Sequence, residues 1–330
     1  MAVSIADIQK LRKMTGAGLS DCKKALTDAE GNFEKAVEII REKGQAIAAK
    51  RSDRETSNGC VLVKYADGFG AIVALKCETD FVANGADYIK LTQDILDAAV
   101  AAKAKSLDDV KKLTLADGTK VEDAVIARSG ITGEKMELDG YNFIEGENVS
   151  TYDHMGKHTL CTMVQTNKPA EEQAHAIAMQ VAAMKPMFLD EASVSQEFIE
   201  EEKKVAAEKT KQELVQKAVE AALKKAGINP AHVDSEEHME SNIGKGWITA
   251  EDVAKAKEII ATVSAEKAAN LPAPMIENIV KGRINRIFKE NCLLNQEFIQ
   301  DSKLSVSDYL KAADKELTVV DFKRFSLSAD

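Results

Sequence analysis

Asp153, His154 and His158 fall within the run DHMGKH, and two imidazoles beside a carboxylate are a donor set that a divalent cation such as zinc takes. That spacing serves a metal when a helix turns both rings to one face. The threonine, valine and glycine around the run predict a hairpin instead, so no metal site is expected. Cys77 has no histidine near it in sequence to act as its base, and reads as a buried strand residue. No GxxxxGK[ST] loop is present and no GxGxxG follows a strand pattern, so no nucleotide or other cofactor site is expected. DGFG at 67–70 reads as a turn. What remains is ETDFVAN at 78–84, an acidic, turn-prone stretch with a phenylalanine at its centre. A phenylalanine in such a place either folds back into the core or reaches for another molecule.

Composition narrows the choice. The chain has 330 residues, 45% of them hydrophobic and 30% charged, which suits a globular protein of two or three domains. A net charge of −10 argues against non-specific binding to nucleic-acid phosphates, and 5% aromatics leaves little from which to build base-stacking platforms. The five cysteines are odd in number, scattered and without a C-x-x-C pair, as expected of free thiols in a reducing compartment. The N-terminus MAVSIADIQKLRKM carries charges throughout and reads as neither signal nor transit peptide. No stretch approaches the roughly 18 apolar residues of a membrane span. The expected location is the cytoplasm, with neither a membrane nor a nucleic acid as direct partner.

The elements that would hold ETDFVAN can be read from periodicity. Three short helices occupy the first fifty residues: one capped by Ser4 with Asp7 and broken at 15–18, one through Leu19, Cys22, Ala25 and Leu26, and one capped by Asn32 with Gly44 as its stop. The polar run AIAAKRSDRETSN reads as a linker. Two β-rich runs follow around ADGFG, a hairpin signal. The second run ends at ETDFVAN, and a helix beginning at Asn84 or Asp87 continues through Tyr88, Leu91, Ile95 and Leu96. More strands are predicted from KMELDGYNF to TLCTMVQT, then an alanine-rich helix from Ala170 to about Lys185. From Ser195 a long charged helix runs to Gly227, and its partner is either Ala250–Ala269 or Ala273–Glu290, as in an antiparallel arm. The fold class is therefore α+β, with residues 1–45 as a three-helix module, 46–58 as linker, 59–140 and 141–194 with 291–330 as two halves of a core with antiparallel sheets, and 195–290 as an inserted, coiled-coil-like helical arm. Such an arm is where a homodimer would form.

TGAGLSDCKKAL at 15–26 and CETDFVAN at 77–84, in this order, resemble the elongation factor Ts family. The similarity continues through STYDHMG, AIAMQVAAMKP, IVKGRINRIFKEN and VVDFKRFSL, and so covers essentially the whole chain. The resemblance implies a guanine-nucleotide exchange factor of translation elongation, not an enzyme, whose partner in protein biosynthesis is elongation factor Tu. It also implies that the N-terminal module is ubiquitin-associated-like. Thr79, Asp80, Phe81 and Val82 match the family's TDFV, whose aspartate and phenylalanine enter the partner's nucleotide-binding domain, disturb its magnesium site and release GDP. Leu19, Asp21 and Lys23 match the contact that the N-terminal module makes with that domain. Ser129, Gly130 and His154 match core positions that touch the partner. Ala176 and Gln180 stand on the helix that packs on another of its domains. The alternative class is a scaffold that binds partners without accelerating nucleotide release.

Overall fold

The computed structural model describes residues 3–328. The chain divides into two units, Met1–Leu189 with Glu297–Asp330, and Asp190–Gln296. The fold is α+β, with small antiparallel sheets, as the sequence predicts.

In the first unit, helices α1 (Ile5–Thr15), α2 (Leu19–Asp28) and α3 (Phe33–Lys50) come first. The Ser4 hydroxyl accepts the Asp7 amide and donates to its carboxylate, and Gly16 closes α1 at φ 70°, where a side chain would be strained. The Asn32 side chain accepts the Lys35 amide to start α3. Leu11, Cys22, Leu26 and Ala36 bury against one another between the three helices.

Strands β1 (Asn58–Ala66) and β2 (Phe69–Cys77) form the predicted hairpin, turned by Asp67 and Gly68 at φ 50° and 73°. Helices α4 (Asp80–Ala83), α5 (Ala86–Ala101), α6 (Leu107–Lys112) and α7 (Val121–Thr132) follow, then β3 (Met136–Glu145) on the other side of β2. β2 is thus the central strand. Its odd residues, Val73 and Leu75 among them, pack with Ile95, Leu96 and Ala99 of α5, while Ile72 and Ala74 face Cys161 and Met163 of a second sheet. Burial of both faces is why FGAIVALKC reads as an almost unbroken apolar run rather than an alternating one.

Strands β4 (Val149–Asp153) and β5 (Leu160–Thr166) and helix α8 (Glu171–Met184) complete the first stretch of the unit. The second unit's helices are α9 (Gln196–Lys225), α10 (Glu236–Gly244), α11 (Ala250–Ala269) and α12 (Ala273–Asn291). The first unit resumes in sequence with β6 (Glu297–Phe298), β7 (Asp301–Ser305), α13 (Val306–Ala313) and β8 (Val319–Ser326). β8 pairs with β5 to give the sheet β4-β5-β8, which α8 covers on the side away from the first sheet.

Three expectations need correction. Gly44 does not stop α3, which continues to Lys50 through the first part of the stretch read as a linker. A boundary at residue 140 falls inside β3, which pairs with β2 from Cys77↔Met136 to Phe69↔Glu145. The second unit has three long helices where a pair was expected: α11 and α12 both lie against α9, the second tied by Arg283 to Glu213 at 2.7 Å. Its core joins Leu223 of α9 to Met239 and Ala256 through Ile228, Val233 and Ile248. Trp247 is 61% exposed, its ring beside His232 and within 4.9 Å of the Lys245 ammonium. Among the described residues no helix is long and apolar enough to cross a membrane.

Gly44 has a reason to be where it is. It lies on Gly130 of α7, and a Cβ on Gly130 would stand 2.5 Å from the Gly44 Cα. Backbone meets backbone there. A helix-interior glycine costs about 1 kcal/mol relative to alanine, yet this crossing needs two. Gly130→Ala is therefore expected to destabilise the first unit by about 1–3 kcal/mol through overpacking, in spite of the propensity gain. Gly282→Ala, on a face of α12 where an added Cβ meets nothing within 4 Å, is expected to stabilise by up to about 1 kcal/mol. The midpoints of thermal unfolding of the two variants should move in opposite directions.

Candidate functional site

The β2–β3 ladder ends at Cys77↔Met136, and the next residues of each strand leave the sheet. Their amides still need acceptors. Two carboxylates provide them reciprocally: the Lys135 amide donates to Glu78 Oε1 at 2.6 Å, and the Thr79 amide donates to Glu134 Oε2 at 3.1 Å. Thr79 Oγ1 also donates to Glu134 Oε1, at 2.6 Å. The ladder continues for one step through side chains, and this frees the backbone of Thr79 to turn away.

Both glutamates are themselves anchored, Glu78 through its side chain and Glu134 through its backbone. Glu78 accepts from Arg51 at 3.2 Å and Arg54 at 2.8 Å, at the C-terminal end of α3. The Lys135 amide first, and then the two guanidinium groups, hold its carboxyl at about 2, well below the usual carboxylate range. Glu134 follows Gly133, which ends α7 at φ 71°, and its carbonyl accepts the Ser129 hydroxyl at 2.5 Å.

Thr79 then caps the single turn of α4, its hydroxyl accepting the Val82 amide at 3.4 Å. Asn84 closes the turn by donating to the Asp80 carbonyl at 2.9 Å. Ala83 is buried and Val82 packs partly on the core, so one turn of helix points Asp80 and Phe81 the other way. Phe81 is 88% exposed, more than any other large apolar side chain among the described residues. Leaving a phenylalanine in water forgoes about 1.5–3 kcal/mol of burial. Asp80 makes no side-chain hydrogen bond among the described residues, and with Asn58, Asn84, Lys157 and His158 it lines a cleft of about 250 Å³ behind the turn. Gly85, where Asn84 or Asp87 was expected, precedes α5 as its cap. Cys77 beneath is fully buried, which pushes its thiol up and suits the reading of a strand residue rather than a nucleophile.

The other candidates separate by burial. Leu19 is 49% exposed and Lys23 is exposed on the same helix, α2, while the Asp21 carboxylate pairs with Lys43 of α3 at 2.5 Å. Ser129 is 1% exposed and its hydroxyl is used within the chain; Gly130 is used against Gly44. Ala176 and Gln180 lie on the buried face of α8, where the Gln180 amide donates to the Glu297 carbonyl and accepts from the Ile299 amide. All four are taken up within the chain, where they build the frame. The open face of α8 carries His175 and Met179 instead. His154 is half-buried, with Nδ1 3.1 Å from the Tyr152 hydroxyl, and the Tyr152 ring stacks edge-on with His154 and His175. Asp153 pairs with His158 Nδ1 at 2.5 Å, so the two histidines of DHMGKH engage different neighbours in the hairpin, and no cluster of three metal-ligating groups occurs among the described residues.

Glu134, Lys135, Arg51 and Arg54 escaped the sequence reading. Thr79 could have been recognised as a helix cap from its place before DFVA, but nothing in the spacing pairs it with Glu134.

The family model for Elongation factor TS matches residues 78–229 and 216–329, its match starting at the first residue of this loop. The chain is 68% identical to elongation factor Ts of Bacteroides fragilis and 65% identical to that of Bacteroides thetaiotaomicron, over the whole of both chains in each case. It is 44% identical to elongation factor Ts of Porphyromonas gingivalis, again over full length. Matches of this extent to the family model and to whole relatives place the chain in the elongation factor Ts family.

Proposed function

We propose that this protein acts in translation elongation in the cytoplasm, binding elongation factor Tu and promoting release of its GDP, with the α4 turn as the part that enters the partner. The observation that carries this reading is an exposed phenylalanine on a turn whose N-terminal end is pinned by two reciprocal carboxylate–amide bonds. A ring placed this way gains its burial only in a complex. Asp80 stands beside it with a carboxylate free to meet a polar group of the partner's nucleotide-binding domain or to compete for the surroundings of its magnesium.

Exchange needs no acid, base or nucleophile. It needs the nucleotide-free partner to be bound more tightly than the GDP-bound one, since by linkage each ligand then weakens the other by the same factor. A thousandfold factor corresponds to about 4 kcal/mol. Burial of one phenylalanine provides about 1.5–3 kcal/mol, so Phe81 can supply a large part of it and the remainder comes from a wider interface. Leu19 and Lys23 on α2 are suited to hold the nucleotide-binding domain; His154, and His175 on the open face of α8, are suited to a second domain of the partner.

Release of a fluorescent GDP from elongation factor Tu measures the proposal directly. Phe81→Ala is expected to slow the stimulated release about tenfold to a hundredfold while the variant still binds nucleotide-free partner. Binding with no acceleration by the parent protein would leave a scaffold in place of an exchange factor. Lys23→Ala is expected to raise the concentration needed for half-maximal stimulation by up to about fivefold, as for an exposed ion pair, without lowering the maximal rate.

A further inference from the structure

We propose that Glu134, which lies outside the loop, is the positioning residue that aims Phe81, and that the loop is therefore a preset wedge rather than a flexible probe. The proposal rests on the exchange reading of the loop.

α4 is four residues long, too short to hold a helical conformation by its own hydrogen bonds. The direction of Phe81 must therefore be imposed from its flanks. On one side the only regular cap is Thr79, extended at φ −123° and ψ 155°. One carboxylate takes both its amide and its hydroxyl, and bonds to a charged acceptor are about twice as strong as neutral ones. With its hydroxyl proton committed to Glu134, the Thr79 oxygen presents its lone pairs to the Val82 amide, so the clamp and the cap share one atom. Glu134 has little freedom of its own: Ser129 donates to its carbonyl and its amide donates to Thr132 Oγ1 at 3.3 Å. These are residues of the last turn of α7, which Gly130 holds against α3.

The same frame reaches the other carboxylate. Arg51 and Arg54, at the end of α3, hold Glu78 in place. The loop is thereby oriented by two helices that meet at a pair of glycines, one of them continuous with the N-terminal three-helix module. Loss of the Glu134 carboxylate leaves Phe81 present and exposed but free to sample other directions. Such a change falls on the rate at which bound partner releases GDP, and less on the concentration at which partner is bound.

The experiment is a double-mutant cycle on stimulated GDP release, using the full chain and elongation factor Tu. Glu134→Ala is expected to lower the maximal rate about tenfold, with the half-maximal concentration changed less than about twofold. Glu134→Gln, which retains one acceptor oxygen, is expected to fall between it and the parent, and covers the case in which the alanine variant folds poorly. In a Phe81→Ala background Glu134→Ala is expected to have no further effect, because it acts through the ring. Full additivity of the two changes, or a parent-like maximal rate in Glu134→Ala with Phe81→Ala impaired, would overturn the positioning role alone. A parent-like rate in Phe81→Ala would sink the wedge reading itself, and the role of Glu134 with it.

Discussion

The reciprocal clamp between Glu78–Thr79 and Glu134–Lys135 is the contact on which the functional surface depends. At the end of a sheet a strand that turns away leaves its amides unpaired, at a cost of about 1–3 kcal/mol each when buried. Here two carboxylates accept them, and the strand can leave the sheet within a single residue. What leaves is the turn that carries Phe81. The stabilisation from two charge-assisted amide bonds is of the same order as the burial that the exposed ring forgoes, so the fold can keep an apolar side chain in water at an otherwise ordered position.

The clamp works because both of its sides are rigid. β2 lies between β1 and β3 and is buried on both faces, one against α5 and one against the second sheet, so its last residues cannot drift. On the other side α7 is fixed by the Gly44–Gly130 crossing, and α3 runs past that crossing to deliver Arg51 and Arg54. A sheet and a helix pair, assembled from segments far apart in the chain, thus meet at two dipeptides, Glu78–Thr79 and Glu134–Lys135. Ser129 and Gly130 serve this frame directly: the one holds the Glu134 carbonyl and the other admits α3. Gln180 behaves similarly in the second half of the unit, bridging the β6–β7 hairpin through both ends of its amide.

Sequence reasoning was strongest where the cause is local. Ser4 and Asn32 cap the helices that follow them because the bonds they make reach only three residues along the chain. Asp67-Gly68 turns the first hairpin because two adjacent positive φ angles suit those residues. ETDFVAN could be placed between strand and helix by the change of period on either side. Gly44 was misread because glycine at a helical position signals a stop when only one helix is considered, and a close approach when a second helix lies across it.

Read alone, the chain yields the α+β class, the caps and the first hairpin, the place of ETDFVAN between a strand and a helix, and the resemblance to the family. Only the tertiary structure decided that α3 continues to Lys50, that Ser129, Ala176 and Gln180 face inward, that the arm has three long helices, and that Glu134 grips Thr79. The physical reason is distance along the chain. The two amide bonds of the clamp span 55 and 57 residues, and a carboxylate carries no mark of which remote amide it will meet until sheet and helices have packed around it.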